Sequence, residues 1–323
     1  MESLNDSRIK VLCRREGEPM KKLLASNRTT VNDRLFDIFN YTFLTIVFVV
    51  TLYPFLNVLA ISLNDSTDTV RGGIHIWPRA FTLENYKTIF EYDNLVTGLI
   101  NSVLRTVIGT ILGVLSSAMV AFTLSRADFQ GRKFVSIFIV LTLYFSGGLI
   151  PGYMLMRELN LINTFWVYIL PGMVNAFNII IVRSFMDGLP YSLQESAKID
   201  GASDFTIFWR IVMPLCMPVL ATIALFVAVG QWNAWFDTYL YNSSNPALTT
   251  LQYELMKILQ NTNMGASDPN AFRGVAGEEA AKQVSPESIK MAISMVTIIP
   301  ILLVYPFLQK YFVQGMTLGA VKS

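Results

Sequence analysis

The chain alternates long apolar stretches with shorter polar ones. Six of the apolar stretches are nearly free of charged residues, and each is about as long as the roughly 20 residues that a helix needs to cross a bilayer core. No water reaches the backbone amides in that core, so a crossing segment has to be helical. The predicted spans cover residues 38–64, 98–124, 134–156, 159–182, 211–236 and 290–309. The pattern therefore predicts an all-α integral membrane protein with six spans.

Lysine and arginine indicate the orientation of such a bundle, because they accumulate in cytoplasmic loops. Sixteen of them lie before the first span, after the second and fourth spans and in the tail, whereas seven lie in the other loops. Arg105 and Lys290 are taken to flank spans. Both termini are thus predicted to be cytoplasmic, as residues 1–37 and 311–323 around a spanning region 38–310. We expect no cleavable signal peptide, and Met20 is an alternative start.

Glycine and proline interrupt two of the predicted spans. The third contains Gly147, Gly148 and Pro151, and the fourth contains Pro171 and Gly172. Such residues either let helices pack closely or kink a helix that lines a passage. Both interpretations remain open from the sequence alone.

Two external segments accompany the spans. Residues 65–95 are expected to form either a short helix at the membrane interface or a loop anchored there. Aromatic residues suit that interface, and this segment contains Trp77, Phe81, Tyr86 and Tyr92. Residues 237–288 are expected to form an external insertion, and its later part, residues 264–288, is polar and rich in glycine and alanine, which predicts a flexible loop there. Loops of this length are often functional.

Composition limits the functions that the chain can perform alone. Charged residues make up 15% of the chain, against about 25% in soluble domains. Self-contained carriers usually place ionisable groups inside the membrane, and the spans nearly lack them. The chain has no phosphate-binding G-x-x-x-x-G-K-[ST] loop and no evident nucleophile–base pair, and His75 is its one histidine. No catalysis, metal site or nucleic-acid partner is expected.

A compact polar stretch, residues 187–214, separates the fourth and fifth spans. Ser192 and Glu195 have the spacing of a capping box that starts a helix, and Gly201 is suited to the left-handed turn that ends one. A second helix is predicted from apolar residues that recur on one face, namely Phe205, Phe208, Trp209 and Val212. The result is either a protruding knob or an interfacial linker with a solvated face.

The same stretch carries a family motif. It contains Glu195-Ser196-Ala197, three residues, Gly201, nine residues, and Ile211-Val212-Met213-Pro214. This resembles the EAA loop of ABC-type importer permeases, with the pattern E-A-A, three residues, G, nine residues, I-x-L-P. Every spacing agrees, and Ser196 and Met213 are the departures. Asp200-Gly201-Ala202 is similar to the D-G-A of the sugar-importing branch.

Other stretches extend the resemblance over most of the chain. Residues 145–151 and 305–322 are similar to carbohydrate-importer permeases related to the smaller permease of the maltose system, in a subgroup linked with oligosaccharide or polysaccharide-fragment uptake. The resemblance implies a type I importer architecture in the bacterial plasma membrane. It also implies a second homologous permease, two ATPase subunits that bind ATP and Mg²⁺, and an extracytoplasmic solute-binding protein. This chain itself would hold no cofactor.

The resemblance further implies a coupling helix at residues 191–201 that fits a cleft of the ATPase. The residues carried over to ATPase coupling are Glu195, Ser196, Ala197, Asp200, Gly201, Ala202, Phe205, Ile211 and Pro214. Two alternatives remain: an ABC importer for another solute class, and a self-contained secondary carrier. The motif and the scarcity of charge in the spans argue against the carrier.

Candidates for contact with a sugar are aromatic faces and amides near the ends of spans. They are Tyr144, Trp166, Asn175, Asn178, Gln231, Trp232, Asn233 and Trp235. Asn175 and Asn178 are three residues apart and are expected on one helical face. The tryptophans equally suit an aromatic belt, and the asparagines equally suit hydrogen bonds between helices.

Overall fold

The computed structural model describes residues 31–90, 93–265 and 285–320. Residues 1–30, which include Met20, therefore lie outside the described residues, as do Tyr92 and residues 266–284 of the insertion. Over the described residues the backbone is helical and forms no strand, apart from an isolated bridge between Asn64 and Phe81. The chain divides into two compact units, residues 1–55 and 56–323. Helix α1 (Val31–Ser62) runs from the first unit into the second.

The remaining helices follow in chain order. They are α2 (Ser66–Thr69), α3 (Glu84–Phe90), α4 (Asp93–Ser125), α5 (Arg132–Tyr144), α6 (Leu149–Glu158), α7 (Ala176–Met186), α8 (Ser192–Ile199), α9 (Asp204–Ile207), α10 (Met213–Leu215), α11 (Met217–Asn233), α12 (Phe236–Tyr241), α13 (Leu251–Gly265) and α14 (Pro286–Ala320). Short 3₁₀ helices cover Phe165–Tyr168, Leu170–Gly172 and Pro246–Leu248, and a π-helical turn covers Phe208–Val212.

Three of these helices are long and apolar enough to cross a membrane unbroken. The crossing segments are Arg34–Ser62, Asn94–Ser125 and Glu287–Val304. Three further helix pairs meet the same criterion only as broken spans, with bends of 119° between α5 and α6, 48° before α7 and 82° before α11. The described residues thus contain three candidate spans, or six if each bent pair is one span. The count of six stays a prediction.

The predicted spans 134–156 and 159–182 are each broken rather than continuous helices. Helix α5 ends at Tyr144, and Pro151 lies in the first turn of α6. Proline has no amide hydrogen to continue an upstream helix, but it is well tolerated in the first turn of a new one. In the fourth stretch, 3₁₀ turns around Pro171 precede α7. Both breaks therefore coincide with the glycine and proline residues that the sequence places there.

The largest buried cluster joins three segments of the second unit. The second half of α4, helix α7 and the stretch 207–223 contribute its side chains. Ala118 and Ala121 of α4 are fully buried, as are Val182 of α7 and Ile207. Alanines on α4 allow the neighbouring backbones to come close, which is how helices pack in a membrane. The loop between α7 and α11 and the bundle therefore share one core.

The segment that follows α1 is organised by polar contacts. Asp65 caps α2 by accepting hydrogen bonds from the amides of Thr67 and Asp68, and Asn64 accepts from the amides of Arg79 and Ala80. Tyr86 lies in α3 and bonds Ser62. Trp77 and Phe81 precede that helix, so of the two alternatives these two residues fit the loop and Tyr86 fits the helix.

The insertion 237–288 begins with helical segments. Helices α12 and α13 occupy its first part. Leu251 and Ile258 of α13 are buried with Ile289 and Ile293 of α14. Most of the later part, for which a flexible loop is predicted, lies outside the described residues.

Candidate coupling loop and cavity

Helix α8 begins without the predicted capping box. Tyr191 occupies the N-cap position with helical backbone angles and makes no side-chain cap. Its carbonyl accepts hydrogen bonds from the amides of Gln194 and Glu195. Ser192 is consequently the first helical residue rather than the cap, because the helix starts one residue earlier than the serine–glutamate spacing requires.

Helix α8 ends as the sequence predicts. Gly201 has a φ of 82°, which residues with a Cβ rarely adopt. Its amide donates to the carbonyl of Lys198 at 3.0 Å, and the amide of Ala202 donates to the carbonyl of Ala197 at 2.9 Å. These two bonds form a Schellman motif, which satisfies carbonyls that the helix end would otherwise leave unpaired. The predicted end at Gly201 is confirmed.

The second half of the loop does not present the predicted apolar face. The buried side chains are Ile207, Phe208, Val212 and Cys216. Phe205 is instead 67% exposed and contacts Trp209, which itself packs on Phe208. The π-helical turn Phe208–Val212 accommodates an extra residue per turn and so rotates the buried face away from the 3.6-residue spacing. Phe205 therefore does not attach the loop to the bundle.

The motif residues divide between an inner and an outer side of the loop. Ala197 and Ala202 are half-buried and pack against the main core cluster, and Ile211 is half-buried too. The other motif residues are exposed, namely Glu195, Ser196, Asp200, Gly201, Phe205 and Pro214. The loop thus presents a polar outer face above small apolar residues.

Ion pairs attach the loop to the end of α4, a contact that the sequence did not predict. Arg126 follows α4, and its side chain is nearly buried. Its guanidinium lies 2.6 Å from Asp128 and 2.7 Å from Asp204 at the start of α9. Lys198 of α8 lies 3.1 Å from Asp128 and 3.8 Å from Asp204. Arg126 and then Lys198 hold the pKa of Asp128 well below its usual range through hydrogen bonds, so Asp128 is ionised at neutral pH.

A cavity of about 670 Å³ lies among α4, α7, α11 and α12. Its wall includes Asn175, Asn178 and Gln231, three of the eight residues predicted to contact a sugar. The wall also contains Arg105 and Asp237, which the sequence did not single out for this role. The cavity therefore brings together residues from four separate helices or their ends.

The other predicted contact residues lie away from the cavity wall. Trp232 is buried, and its indole N–H donates to the carbonyl of Thr297 in α14 at 3.0 Å. Asn233 donates to the carbonyl of Val229. Tyr144 is exposed at the end of α5, and Trp166 is half-exposed beside Phe165. Trp235 packs on Phe236 and Tyr239.

Asn175 and Asn178 do not share a helical face. Asn175 is the N-cap of α7, and its Oδ1 accepts a hydrogen bond from the amide of Asn178 at 3.1 Å. The two residues reach the same cavity because the break before α7 turns the cap towards it. The prediction of one helical face is wrong, although both side chains line one space.

Arg105 is buried inside α4, so the prediction that it flanks a span is wrong. Its Nε and Nη2 donate to Oε1 of Gln231 at 3.1 and 3.0 Å. Its Nη1 donates to the carbonyl of Ala234 at 3.2 Å and to Oδ1 of Asp237 at 3.1 Å, and Nη2 also donates to Oδ2 of Asp237. The guanidinium carbon stands 4.5 Å from the centre of the Tyr168 ring.

Arg105 is the residue that a sequence rule could have identified. An ionisable side chain within a membrane helix is costly and marks a functional position by default. Gly109, one turn further along α4, makes room for the acceptor of Arg105, because a Cβ there would lie 3.0 Å from the amide carbon and nitrogen of Gln231.

No cluster of three or more histidine, cysteine, aspartate or glutamate residues suited to a metal ion occurs within the described ranges. The polar groups of the cavity are one ion pair and several amides. Such groups bind uncharged polar molecules through hydrogen bonds.

Known proteins resemble this chain over most of its length. A polygalacturonan/rhamnogalacturonan transport system permease of Bacillus subtilis strain 168 is 39% identical over 294 residues, which cover 91% of this chain and all of that protein. An arabinooligosaccharides transport system permease of Halalkalibacterium halodurans is 32% identical and covers 85% of this chain and 92% of its own.

A solved structure agrees with these relatives. A chain in the crystal structure of a bacterial ABC transporter involved in the import of the acidic polysaccharide alginate matches with a TM-score of 0.76 and 29% identity. The match covers 88% of this chain and 98% of that one. Residues 23–318 match the family described as the inner membrane component of binding-protein-dependent transport systems. The chain belongs to that family of transport permeases.

Proposed function

We propose that the chain is a permease subunit of an ATP-driven ABC importer for an oligosaccharide, located in the bacterial plasma membrane. It crosses the membrane six times and has both termini in the cytoplasm. The family match supports the transporter class, and the relatives at 39% and 32% identity, which are named for the transport of polysaccharides or oligosaccharides, support a carbohydrate substrate. The lysine and arginine distribution supports the orientation.

One observation carries the coupling part of the proposal. Helix α8 is a short helix with an exposed polar face, closed by a Schellman motif at Gly201 and joined to α4 through Lys198, Asp128 and Arg126. A segment held in this way moves as a body with the helices behind it. We place the ATPase against the exposed side of α8, with Glu195 at the contact.

The chain forms half of the translocation pathway in this proposal. The cavity beside Arg105 is its part of the path, and a second, homologous permease supplies the other half. Two ATPase subunits bind ATP and Mg²⁺ and supply the energy. A solute-binding protein delivers the oligosaccharide on the outer side.

Site-specific cross-linking tests the contact with the ATPase. Glu195→Cys is introduced after Cys13 and Cys216 have been replaced by alanine, and Trp77→Cys is the matched control because the proposed topology puts Trp77 outside. We expect Glu195→Cys to capture an ATPase subunit and Trp77→Cys to capture none. A Trp77→Cys adduct with the ATPase, or no adduct from Glu195→Cys, contradicts the proposal.

Transport assays test the substrate class. We expect uptake of oligosaccharides by cells that hold the whole transporter, and no uptake when the ATPase cannot hydrolyse ATP. Uptake of amino acids or phosphate instead of sugars would favour an importer for another solute class. Uptake that persists without ATP hydrolysis would favour a secondary carrier.

A further inference from the structure

We propose that Asp237 and Asn178 form a subsite of the cavity for the hydroxyl groups of an uncharged sugar unit, and that Arg105 acts as a positioning residue for Asp237. This inference rests on the proposed function, because it takes the cavity as part of the path of an oligosaccharide. It adds the chemical class that this chain's side of the path accepts.

Arg105 has no hydrogen-bond donor left for a ligand. A guanidinium carries five N–H groups, and those of Arg105 make five hydrogen bonds: two to Gln231, two to Asp237 and one to the carbonyl of Ala234. The Arg105 side chain is also only 2% exposed. A ligand carboxylate would have to break this set of bonds to reach the positive charge.

Asp237 faces the cavity more than its partner does. Its side chain is 24% exposed. Oδ1 accepts from Nη1 of Arg105 and from the amide of Thr238 at 2.9 Å, whereas Oδ2 accepts, among the described residues, only from Nη2 of Arg105. A carboxylate oxygen has about two acceptor positions, so Oδ2 keeps one. That position can accept a hydrogen bond from a hydroxyl group.

Amides in the wall of the same cavity complete the subsite. The side chain of Asn178 lines the cavity and makes no hydrogen bond to any residue in the described part of the chain. A primary amide both donates and accepts, as a sugar hydroxyl does. Gln231 donates one of its two N–H groups to the carbonyl of Tyr168 and retains the other. The apolar walls formed by Phe226 and Tyr241 suit the C–H faces of a sugar ring.

The charges of the cavity disfavour an acidic sugar at this place. Arg105 and Asp237 are the charged residues in its wall, and they neutralise each other. A second carboxylate beside Asp237 would meet repulsion that a low dielectric strengthens, and it would lose its water without gaining a cation. Relatives are named for polygalacturonan and alginate import, so an acidic group in such a ligand would have to face the other permease.

Equilibrium binding to the complete transporter tests the subsite. The probes are galactotriose, arabinotriose and trigalacturonate, and the first and last differ at C6 by a hydroxymethyl group against a carboxylate. The complex of both permeases and the ATPases is co-purified and placed in nanodiscs. The solute-binding protein is left out, so that the selectivity of that protein does not affect the measured binding. We expect a neutral trisaccharide to bind more tightly than trigalacturonate.

Two substitutions separate recognition from folding. Asp237→Asn removes the charge but can unfold the site around Arg105, whereas Asn178→Ala leaves that ion pair untouched. We expect Asn178→Ala to weaken binding of the preferred neutral trisaccharide about tenfold, because the substitution removes one or two hydrogen bonds to the sugar. Asn233→Ala is the matched control, because Asn233 lies outside the cavity wall, and it should leave binding unchanged.

Three results would overturn the subsite: tighter binding of trigalacturonate, no binding of either neutral trisaccharide, or unchanged binding in Asn178→Ala. ATP-driven oligosaccharide uptake by the wild-type transporter is measured separately. If uptake occurs while any of the three results is found, the subsite is wrong and the importer function stands. If no ATPase co-purifies with the chain, the function fails and the subsite with it.

Discussion

Lys198, in the last turn of the exposed helix α8, lies 3.1 Å from Asp128, in the turn that follows α4. The guanidinium of Arg126 pairs with the same aspartate at 2.6 Å and with Asp204 at 2.7 Å. Two cations and two carboxylates therefore bridge α8, α9 and α4. A displacement of α8 by a partner would be passed to α4, the helix that also carries Arg105 and part of the cavity wall.

The first prediction concerns Arg126→Gln. It removes the nearly buried cation and leaves Asp128 and Asp204 close together with only Lys198 to compensate them. Because both carboxylates are more than half exposed, water screens the change, and we expect a loss of about 1 kcal/mol in stability. We expect a larger effect on coupling, measured as a decrease of sugar-stimulated ATP hydrolysis in the purified complex.

Lys133→Gln is the control for Arg126→Gln. Lys133 is an exposed cation at the start of α5, so the same charge is removed at a nearby place. ATP hydrolysis that falls equally in both variants would mean that net charge, and not the bridge to α4, determines the coupling.

The second prediction concerns Gly201→Val. A Cβ at this position meets no atom within 4 Å, so the substitution causes strain from the φ of 82° and no clash. A left-handed conformation costs an L-residue about 1–2 kcal/mol, and a branched side chain tolerates it poorly. We expect α8 to end differently, so that uptake and ATPase stimulation fall while the protein still inserts into the membrane.

Two further variants test whether the loss of uptake in Gly201→Val comes from the left-handed backbone conformation. Gly201→Asn should retain more uptake than Gly201→Val, because asparagine tolerates the left-handed region. Gly152→Ala in α6 also meets no atom within 4 Å and has no positive φ, so it should behave like the wild type. Equal uptake in all three variants would show that the turn at Gly201 is not needed for coupling.

The local features of the loop could be predicted from the sequence, whereas its contacts could not. The end of α8 depends on Gly201 and the five residues before it, so a short motif determines it. The buried face after Phe205 was predicted wrongly, because a π-helical turn changes the spacing on which helical patterns depend. Asp128 is two positions from Arg126, but Asp204 is 78 positions away, and no local pattern pairs it with Arg126.

The cavity shows the same limit on a larger scale. Asn178 and Gln231 were candidates because amides in apolar stretches are unusual. Arg105 and Asp237 were missed because each was assigned to the edge of an apolar stretch, although 132 positions separate them and they meet only in the folded chain. Counting charges along the chain cannot show that two opposite charges neutralise each other inside it.

The third prediction concerns Asp237→Ala. It leaves the guanidinium of Arg105 buried without its carboxylate, and an unpaired buried charge costs about 3–5 kcal/mol. We expect a lower Tm of the detergent-purified complex and a reduced yield. Asp187→Ala is the control, because Asp187 pairs with Arg183 and Arg132 at a more exposed place and should cost about 1 kcal/mol or less. Similar losses in both variants would contradict a special role for the Arg105–Asp237 pair.

The fourth prediction concerns Gly109→Ala and its dependence on Gln231. The added Cβ would lie 3.0 Å from the Gln231 amide, so the glutamine has to move and Arg105 loses acceptors for Nε and Nη2. Hydrogen bonds to charged groups contribute about 1.5–3 kcal/mol each, and the free energy of unfolding should fall by an amount of that order. In a Gln231→Ala background the clash is gone, so Gly109→Ala should cost much less there.

A double-mutant cycle measures this dependence, since residues that share a partner give non-additive changes in stability. The control is Gly113→Ala, one turn along α4, whose Cβ would contact Val227 at 3.3 Å and not Gln231. Its cost should be the same with and without Gln231. If Gly109→Ala and Gln231→Ala were additive as well, Gln231 would not depend on the space left by Gly109, and the positioning of Arg105 would have to come from Asp237 and the Ala234 carbonyl alone.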